Sequence, residues 1–299
     1  MNPALRIGLI GYGEVGQTLA ADLHARGFRD LIAWDRLFAV PRSAPHRAAA
    51  AAEHLRIAAG AADALADRTL VISAVTAGEC LGAAREIAPL IQPGTIYFDL
   101  NSVSPHTKRA AAAAIDSAGG RYVEAAVMSP IAPKRIASPM LIGGPHAAAF
   151  LPEARALGFG GARLFDSAVG RASAAKMCRS VMIKGIEALL AESLLAARRH
   201  HVEETVLQSL HDLFPQDDWD RTATYMISRS LQHGRRRAEE MREVARTVAE
   251  AGIDPWMSDA CAQRQEWAAA HAGARDRSPL APLLDAVLAA MPAEGTENA

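Results

Sequence analysis

A glycine-rich turn near the N-terminus has the residue types and spacing that bind phosphate. Gly11, Gly13 and Gly16 follow the short apolar run 7–10 and open a helical pattern. Gly11 permits a tight turn, Gly13 lets the backbone approach a pyrophosphate, and Gly16 lets the helix pack closely on the strand. The free N–H groups and the positive end of that helix would then bind the phosphates. These residues predict a dinucleotide-binding βαβ unit.

An acidic residue closes the second apolar run, about 20 residues after the glycines. Asp35 is placed to accept hydrogen bonds from ribose hydroxyls, and its charge repels a 2′-phosphate, which favours NAD. Arg36 follows and is able to stack on adenine or to pair with that phosphate. NAD and NADP therefore both stay open, with NAD favoured. Further cofactor contacts are expected from Glu14, Val15, Val75 and Thr76.

A lysine near the middle of the chain is the second candidate for chemistry. Four residues spaced at i, i+3, i+4 and i+7 share one face of a predicted helix: Lys176, Arg179, Ser180 and Ile183. The rest of this helix is strongly apolar, so we expect it to be buried on several sides. Partial desolvation lowers the pKa of a lysine and allows it to act as a general acid or base near neutral pH. From the residues alone, a surface lysine that extends into solvent is the stronger reading.

Alternating strand and helix patterns in the first half must position these residues. Apolar runs at 69–75, 95–100, 122–127 and 140–142 predict strands, and helical patterns separate most of them. Strands joined by helices of this length indicate a mostly parallel, doubly wound sheet. The predicted fold class is α/β, with a Rossmann dinucleotide-binding domain over residues 1–168.

From about residue 170 the strand signals vanish and long helical periodicity takes over. Helices are predicted over 172–200, 203–214, 219–251, 255–272 and 279–291. We expect an all-helical substrate and dimerisation domain over 169–291, opened by a long interdomain helix, and a disordered tail over 292–299. The active site is expected in the cleft between the two domains.

Composition narrows the classes of partner. The 299 residues carry a net charge of -1, which leaves no electrostatic footprint for nucleic acid or an anionic membrane. Cys80, Cys178 and Cys261 lack metal-site or disulfide spacing and suit a reducing cytoplasm. No signal peptide or membrane span is expected. The run 235–237, three arginines followed by glutamates, predicts ion pairs on a helix surface.

Three stretches together resemble the β-hydroxyacid dehydrogenase superfamily, which includes 6-phosphogluconate and 3-hydroxyisobutyrate dehydrogenases. Residues 8–23, GLIGYGEVGQTLAADL, are similar to its N-terminal fingerprint. Residues 99–105, DLNSVSP, resemble its D-x-S-T-x-S-P substrate loop, and residues 170–176 resemble the glycine-rich lead to its catalytic lysine. The later sequence is similar to a subgroup that carries a phosphogluconate-dehydrogenase-like C-terminal domain of uncharacterised function.

The resemblance implies hydride transfer between nicotinamide C4 and the carbinol carbon of a small hydroxy acid. Lys176 would take the hydroxyl proton in oxidation and return it in reduction. Asn101 and Ser102 would contact the substrate or the nicotinamide end. The resemblance therefore favours the catalytic role of Lys176 over the surface role. A homodimer formed through the helical domain is also expected.

The chain departs from the family pattern where the substrate would bind. Many members have a glycine pair whose N–H groups hold the substrate carboxylate, and this chain has Ser129 and Pro130 there. Pro130 has no N–H, so that anion site must be altered or lost, and Ser129 is left as a candidate contact. Arg179 and Ser180 stand where an amide is usual. Arg179 is able to clamp a carboxylate or phosphate, or to pair with an acid at the domain junction.

The sequence thus predicts an NAD(P)-dependent dehydrogenase or reductase acting on a small hydroxy or oxo acid, with no metal. Phosphogluconate itself is not expected as the substrate. One alternative is an imine reductase of the same architecture, against which Lys176 argues because those enzymes generally replace the lysine. Another is a non-catalytic, dinucleotide-binding regulatory protein.

Overall fold

The computed structural model describes residues 5–53, 55–215 and 218–291. The chain divides into two compact units, Met1–Cys178 and Arg179–Ala299. The predicted tail over 292–299 lies outside the described residues. In the described part, no helix is long and apolar enough to cross a membrane.

The first unit is built on one eight-stranded sheet. Its strands are β1 (Ile7–Ile10), β2 (Leu31–Trp34), β3 (Arg56–Ile57), β4 (Leu70–Ser73), β5 (Ile96–Asp99), β6 (Arg121–Val127), β7 (Met140–Gly143) and β8 (Ala162–Asp166). They lie in the order β3-β2-β1-β4-β5-β6-β7-β8, and every neighbouring pair is parallel except β6 with β7. The strand order reverses between β1 and β4, which is the point where such sheets bind ligands at their carboxyl edge.

Helices cover both faces of this sheet. They are α1 (Glu14–Ala25), α2 (Ala44–Ala50), α3 (Ala61–Leu65), α4 (Cys80–Ile87), α5 (Pro105–Ser117) and α6 (Ala147–Leu157). All four residues of β1 are buried because helices pack on both of its sides, which explains its uninterrupted apolar sequence. On one face, the Phe98 ring lies edge-on to those of Phe150 and Phe159, with centroids 5.0 and 5.2 Å apart. The predicted α/β fold class with a Rossmann-type sheet is confirmed.

Four helices and strands of this unit were not predicted from the sequence. One is α3, whose five residues are too few to show a helical period. β3 has only two residues, which is too short for a periodic pattern. β8 is an edge strand whose residues 163–165 are all exposed, so it lacks the alternation of a half-buried strand. α6 contains Pro152 and follows a glycine turn, which reads as a loop.

The second unit is entirely helical in its described part. A long helix, α7 (Arg171–Arg199), begins in the first unit and continues into the second. It is followed by α8 (Glu203–Leu213), α9 (Trp219–Glu250), α10 (Trp256–Ala270) and α11 (Leu280–Ala289). The predicted all-α region is confirmed. The compact units divide within α7, whereas the sequence-based boundary at 168 falls just before that helix.

One arginine that was expected on a helix surface lies instead between closely packed helices. Arg237 was predicted on a helix surface, but its side chain is buried and forms an ion pair with Glu187 of α7. Gly234 of α9 faces α10, where an added Cβ would lie 2.5 Å from the carbonyl oxygen of Gln265. The glycine lets the two helices approach closely, and the Arg237 side chain in the next turn of α9 is 9% exposed.

Candidate functional site

The glycine turn between β1 and α1 has the geometry of a phosphate cradle. Gly11 has φ +91°, and an added Cβ would overlap the carbonyl oxygen of Ala74. An added Cβ on Gly16 would overlap the carbonyl oxygen of Gly11. A Cβ on Gly13 would meet no atom within 4 Å. The turn is therefore closed against the sheet and open at Gly13, as the binding of a pyrophosphate at the start of α1 requires.

Asp35 binds this turn directly. One carboxylate oxygen accepts the N–H of Tyr12, and the other accepts the N–H of Leu37, each at 2.8 Å. A carboxylate oxygen has two lone pairs, so each one keeps a position for a ribose hydroxyl. Asp35 thus ties the end of β2 to the glycine turn and remains able to accept hydrogen bonds from a nucleotide.

Arg36 has a partner that the sequence did not reveal. Its guanidinium forms a two-point ion pair with Glu79, with Nη2–Oε1 and Nη1–Oε2 distances of 2.6 and 2.5 Å. Glu79 directly precedes α4, so the pair joins the end of β2 to the connection that follows β4. Spacing alone gives no signal for this pair, because 43 residues separate its two members.

Asn101 holds the loop that follows β4. Its Oδ1 accepts the N–H of Val75 at 2.7 Å, and its Nδ2 donates to the hydroxyl of Ser73 at 3.0 Å. The side chain is buried, and both ends of its amide are used within the protein. Its contact with the substrate stays a prediction. In the structure, Asn101 binds the backbone of Val75, a residue predicted to contact the cofactor.

Lys176 and Ser102 come together although 74 residues separate them in the sequence. The ammonium group of Lys176 donates a hydrogen bond to the hydroxyl of Ser102. Lys176 is partly buried in the second turn of α7, and Ser102 lies in the loop after β5. The contact places a proton-carrying amine beside a hydroxyl at the carboxyl edge of the sheet.

A buried ionic cluster lies under this loop. Asp99 and Lys108 are both fully buried, and the Lys108 Nζ lies 3.0 Å from a carboxylate oxygen of Asp99. Asp99 also accepts the hydroxyl of Tyr122 at 2.5 Å and the N–H of Asn101 at 2.8 Å. Burial, reinforced by the charge of Asp99, raises the pKa of Tyr122 well above its ordinary value, so this hydroxyl stays a donor.

Comparison with known proteins shows which family this chain belongs to. Residues 6–152 match the NAD binding domain of 6-phosphogluconate dehydrogenase, and residues 197–268 match a domain of unknown function, DUF1932. A conserved hypothetical protein from Sinorhizobium meliloti 1021 is 34% identical, with 96% of this chain and 97% of that chain covered and a TM-score of 0.71. The chain belongs to the 6-phosphogluconate dehydrogenase-like family.

Two further solved structures are similar to this chain over nearly its whole length. The conserved protein MTH1747 is 34% identical over 96% of this chain and all of its own, with a TM-score of 0.67. Its function is unknown, and its structure is described as similar to those of 3-hydroxyacid dehydrogenases. A Mycobacterium tuberculosis 3-hydroxyisobutyrate dehydrogenase, solved with L-serine, is 18% identical over 95% of this chain and 98% of its own, with a TM-score of 0.69. The second likeness concerns the fold alone. The match over residues 6–152, rather than these two likenesses, gives the first unit the fold of an NAD binding domain.

Four further predicted site residues of this 6-phosphogluconate dehydrogenase-like chain lie in the loops after β4 and β6 and on α7. Ser129 is partly buried, and its hydroxyl donates to the carbonyl oxygen of Pro130 at 3.1 Å. Thr76 is exposed beside Val75. On α7, Arg179 is exposed and Ser180 is buried. Their substrate contacts stay predictions.

Sequence reasoning missed an acidic residue that anchors the lysine helix. Glu124, fully buried in β6, accepts the N–H groups of Gly170 and Ala172, each at 2.8 Å. Burial raises the pKa of Glu124, while the charge of Lys108 and the two N–H donors act in the opposite direction. The signal was present in the sequence, because a glutamate inside the apolar strand YVEAAV needs a buried partner.

Proposed function

We propose that the protein is an NAD-dependent oxidoreductase that interconverts a small hydroxy acid and its oxo acid. The observation that carries the proposal is the hydrogen bond from Lys176 to Ser102, which unites the two motifs that resemble the family's catalytic lysine and substrate loop. The open glycine turn supports dinucleotide binding. The relative MTH1747, described as similar to 3-hydroxyacid dehydrogenases, supports the substrate class.

The residues have separable roles in this proposal. A bound nicotinamide dinucleotide supplies or accepts the hydride. Lys176 takes the proton from the substrate hydroxyl in oxidation and returns it to the oxygen in reduction. Ser102 orients the Nζ of Lys176, which is a neutral amine when it takes the proton and an ammonium group when it returns it, and Ser102 also contacts the substrate. Arg179, an exposed guanidinium one turn after Lys176, is proposed to bind the substrate carboxylate.

The choice of NAD rests on Asp35. Its carboxylate is fixed by two backbone N–H groups beside the glycine turn, so it cannot turn away when a nucleotide binds without losing both hydrogen bonds. A fixed negative charge at the ribose accepts hydrogen bonds from its hydroxyls and repels a 2′-phosphate. We therefore propose NAD over NADP.

We further propose a homodimer that forms through the helical unit. Several large apolar side chains of that unit are exposed: Met182, Leu189, Tyr225, Trp256 and Met257. Met182 and Leu189 are seven residues apart on one face of α7, and exposed apolar groups that lie together are typical of a surface that contacts another chain. Light scattering on the purified protein measures the oligomeric state, and a monomer would contradict the proposal.

The three free cysteines fit a reducing, cytoplasmic location.

Binding and turnover test the proposed activity separately. Titration with NADH and NADPH, followed by nicotinamide fluorescence, is expected to show binding, and binding of neither would refute the proposal. A panel of hydroxy acids, oxo acids and imines is then followed by NAD(P)H absorbance. Turnover of imines alone would favour the imine reductase, and binding without any turnover would favour a non-catalytic protein.

The Lys176→Ala variant tests the lysine. It is expected to keep dinucleotide binding and to lose turnover by about 10²–10⁴-fold, the contribution of general acid–base catalysis. Lys134→Ala removes an exposed lysine outside the motifs and serves as the control. Full turnover in Lys176→Ala would exclude the lysine as the catalytic acid or base.

A further inference from the structure

The ion pair between Arg36 and Glu79 lies next to Asp35 in the chain. Arg36 directly follows Asp35, the residue proposed to bind the ribose. β2 and β4 lie on either side of β1, so a bridge from Arg36 to Glu79 spans the end of β1, where the glycine turn begins. The pair therefore crosses the carboxyl edge of the sheet at its topological switch point.

Both carboxylate oxygens of Glu79 are engaged with the Arg36 guanidinium, at 2.5 and 2.6 Å. A two-point pair of this kind uses an N–H edge of the guanidinium, which is also the part that binds a phosphate. Glu79 thus occupies the Nη1–Nη2 edge of Arg36 and offsets its charge, so a second anion must compete with Glu79 for that edge. The charges near the ribose are two carboxylates, Asp35 and Glu79, against one guanidinium.

We propose that Glu79 is a specificity-determining residue that makes the site reject NADP(H) by occupying Arg36 and adding negative charge. The inference rests on the proposed dinucleotide-binding function and deepens it. A phosphate monoester carries a charge of about −1.5 to −2 at neutral pH, so a 2′-phosphate must compete with Glu79 for Arg36 while it lies near two carboxylates. NAD(H) has hydroxyl groups there and does not compete for Arg36.

The exposure of the pair makes the inference testable without loss of the fold. The side chains of Arg36 and Glu79 are 63% and 38% exposed. Exposed ion pairs contribute only about 0–1 kcal/mol to folding, so removing either partner leaves the protein folded. The role of the pair is therefore visible in the relative affinity for the two dinucleotides rather than in stability.

The experiment measures NADH and NADPH dissociation constants by fluorescence for the wild type and three variants. Glu79→Gln keeps the shape and releases Arg36, so we expect NADPH to bind about tenfold more tightly, the effect of one charge-assisted hydrogen bond, and NADH to change less than about threefold. Arg36→Gln in the Glu79→Gln background is expected to remove this gain. Glu86→Gln, at an exposed acid of α4, changes the same net charge and serves as the control.

The outcomes separate the inference from the proposed function. An unchanged NADPH-to-NADH affinity ratio in Glu79→Gln, with NADH still bound by the wild type, would overturn the inference alone. An equal gain in Glu86→Gln would overturn it as well, because the effect would then follow net charge. A wild type that prefers NADPH would refute both the inference and the proposed NAD preference. A wild type that binds neither dinucleotide would refute the proposed function itself.

Discussion

The side chain of Glu124 accepts a hydrogen bond from the backbone N–H of Ala172, 2.8 Å away, although 48 residues separate them in the chain. The first N–H groups of a helix have no partner within it, so a buried helix start needs an acceptor from elsewhere. Glu124 supplies two, since its other oxygen accepts the N–H of Gly170. A carboxylate in β6 thereby fixes the first turn of α7, one turn before Lys176.

Replacing this carboxylate should impair both the helix start and turnover. In Glu124→Gln, one acceptor becomes an N–H₂ donor facing a backbone donor, so we expect a loss of about 1–3 kcal/mol in the free energy of unfolding. The proton transfer assigned to Lys176 should slow while NADH affinity is kept. Urea unfolding, hydrogen exchange at Gly170 and Ala172, and kcat against NADH dissociation constants measure these effects.

The contrast with a shorter acid completes this test. Glu124→Asp keeps the charge but not the reach, so it should resemble Glu124→Gln in the exchange of the two amides. Unchanged amide protection in both variants would show that Glu124 does not hold the helix. A lower kcat with unchanged protection would instead give Glu124 a role other than positioning.

Two glycines of the nucleotide turn should separate folding from binding. A Cβ at Gly16 would overlap the carbonyl oxygen of Gly11, so Gly16→Ala should lower the free energy of unfolding by about 1–3 kcal/mol. A Cβ at Gly13 has no neighbour within 4 Å, so Gly13→Ala should fold normally and weaken NADH binding by at least about tenfold. Thermal unfolding and NADH titration of both variants distinguish these effects. Normal NADH affinity in Gly13→Ala would place the pyrophosphate elsewhere.

The sequence predicted those parts of the site that depend on local spacing. Gly11, Gly13 and Gly16 need only a turn between a strand and a helix, and this turn was recognisable from the residues themselves. Arg36 pairs with Glu79, which is 43 residues away in the chain. The first turn of α7 is bound by Glu124, which is 46 or more residues away. Such pairs follow from strand order and register, and one sequence contains no direct signal of either.

The same limit applies to the sheet. Its central strands were predicted because burial on both faces requires uninterrupted apolar residues. The edge strand β8 and the antiparallel orientation of β7 against β6 follow from tertiary packing instead. Arg237 shows the limit for side chains, since a run of three arginines reads as a surface until Glu187 is found opposite it.

The buried pair of Lys108 and Asp99 should be costly to break and less costly to remove. Lys108→Met leaves Asp99 as an uncompensated charge in a site without solvent, so the free energy of unfolding should fall by about 3–5 kcal/mol. Adding Asp99→Asn removes that charge and should recover part of the loss. Lys134→Met, at an exposed lysine, should change stability by less than about 0.5 kcal/mol. Urea denaturation measures all three, and a mild effect of Lys108→Met alone would contradict the ionised pair.

The three cysteines should differ sharply in reactivity. Cys178 is exposed, while Cys80 and Cys261 are buried. Burial raises the pKa of Cys261 to about 11 and that of Cys80 further, so neither forms a thiolate at pH 8. A disulfide reagent at pH 8 should therefore modify one thiol rapidly in the native chain, and Cys178→Ser should abolish this fast phase. All three should react after denaturation.

The raised pKa of Cys261 also predicts the direction of a pH effect on stability. The thiol of an unfolded chain has a pKa of about 8.5, below the pKa of this thiol in the folded protein. Its contribution to stability is thus fully present below about pH 8.5 and is lost as the pH rises toward about 11. Urea unfolding between pH 7.5 and pH 10 should show a decline that is shallower in Cys261→Ala. An equal slope in both proteins would mean that the Cys261 thiol ionises in the folded protein as readily as in the unfolded chain.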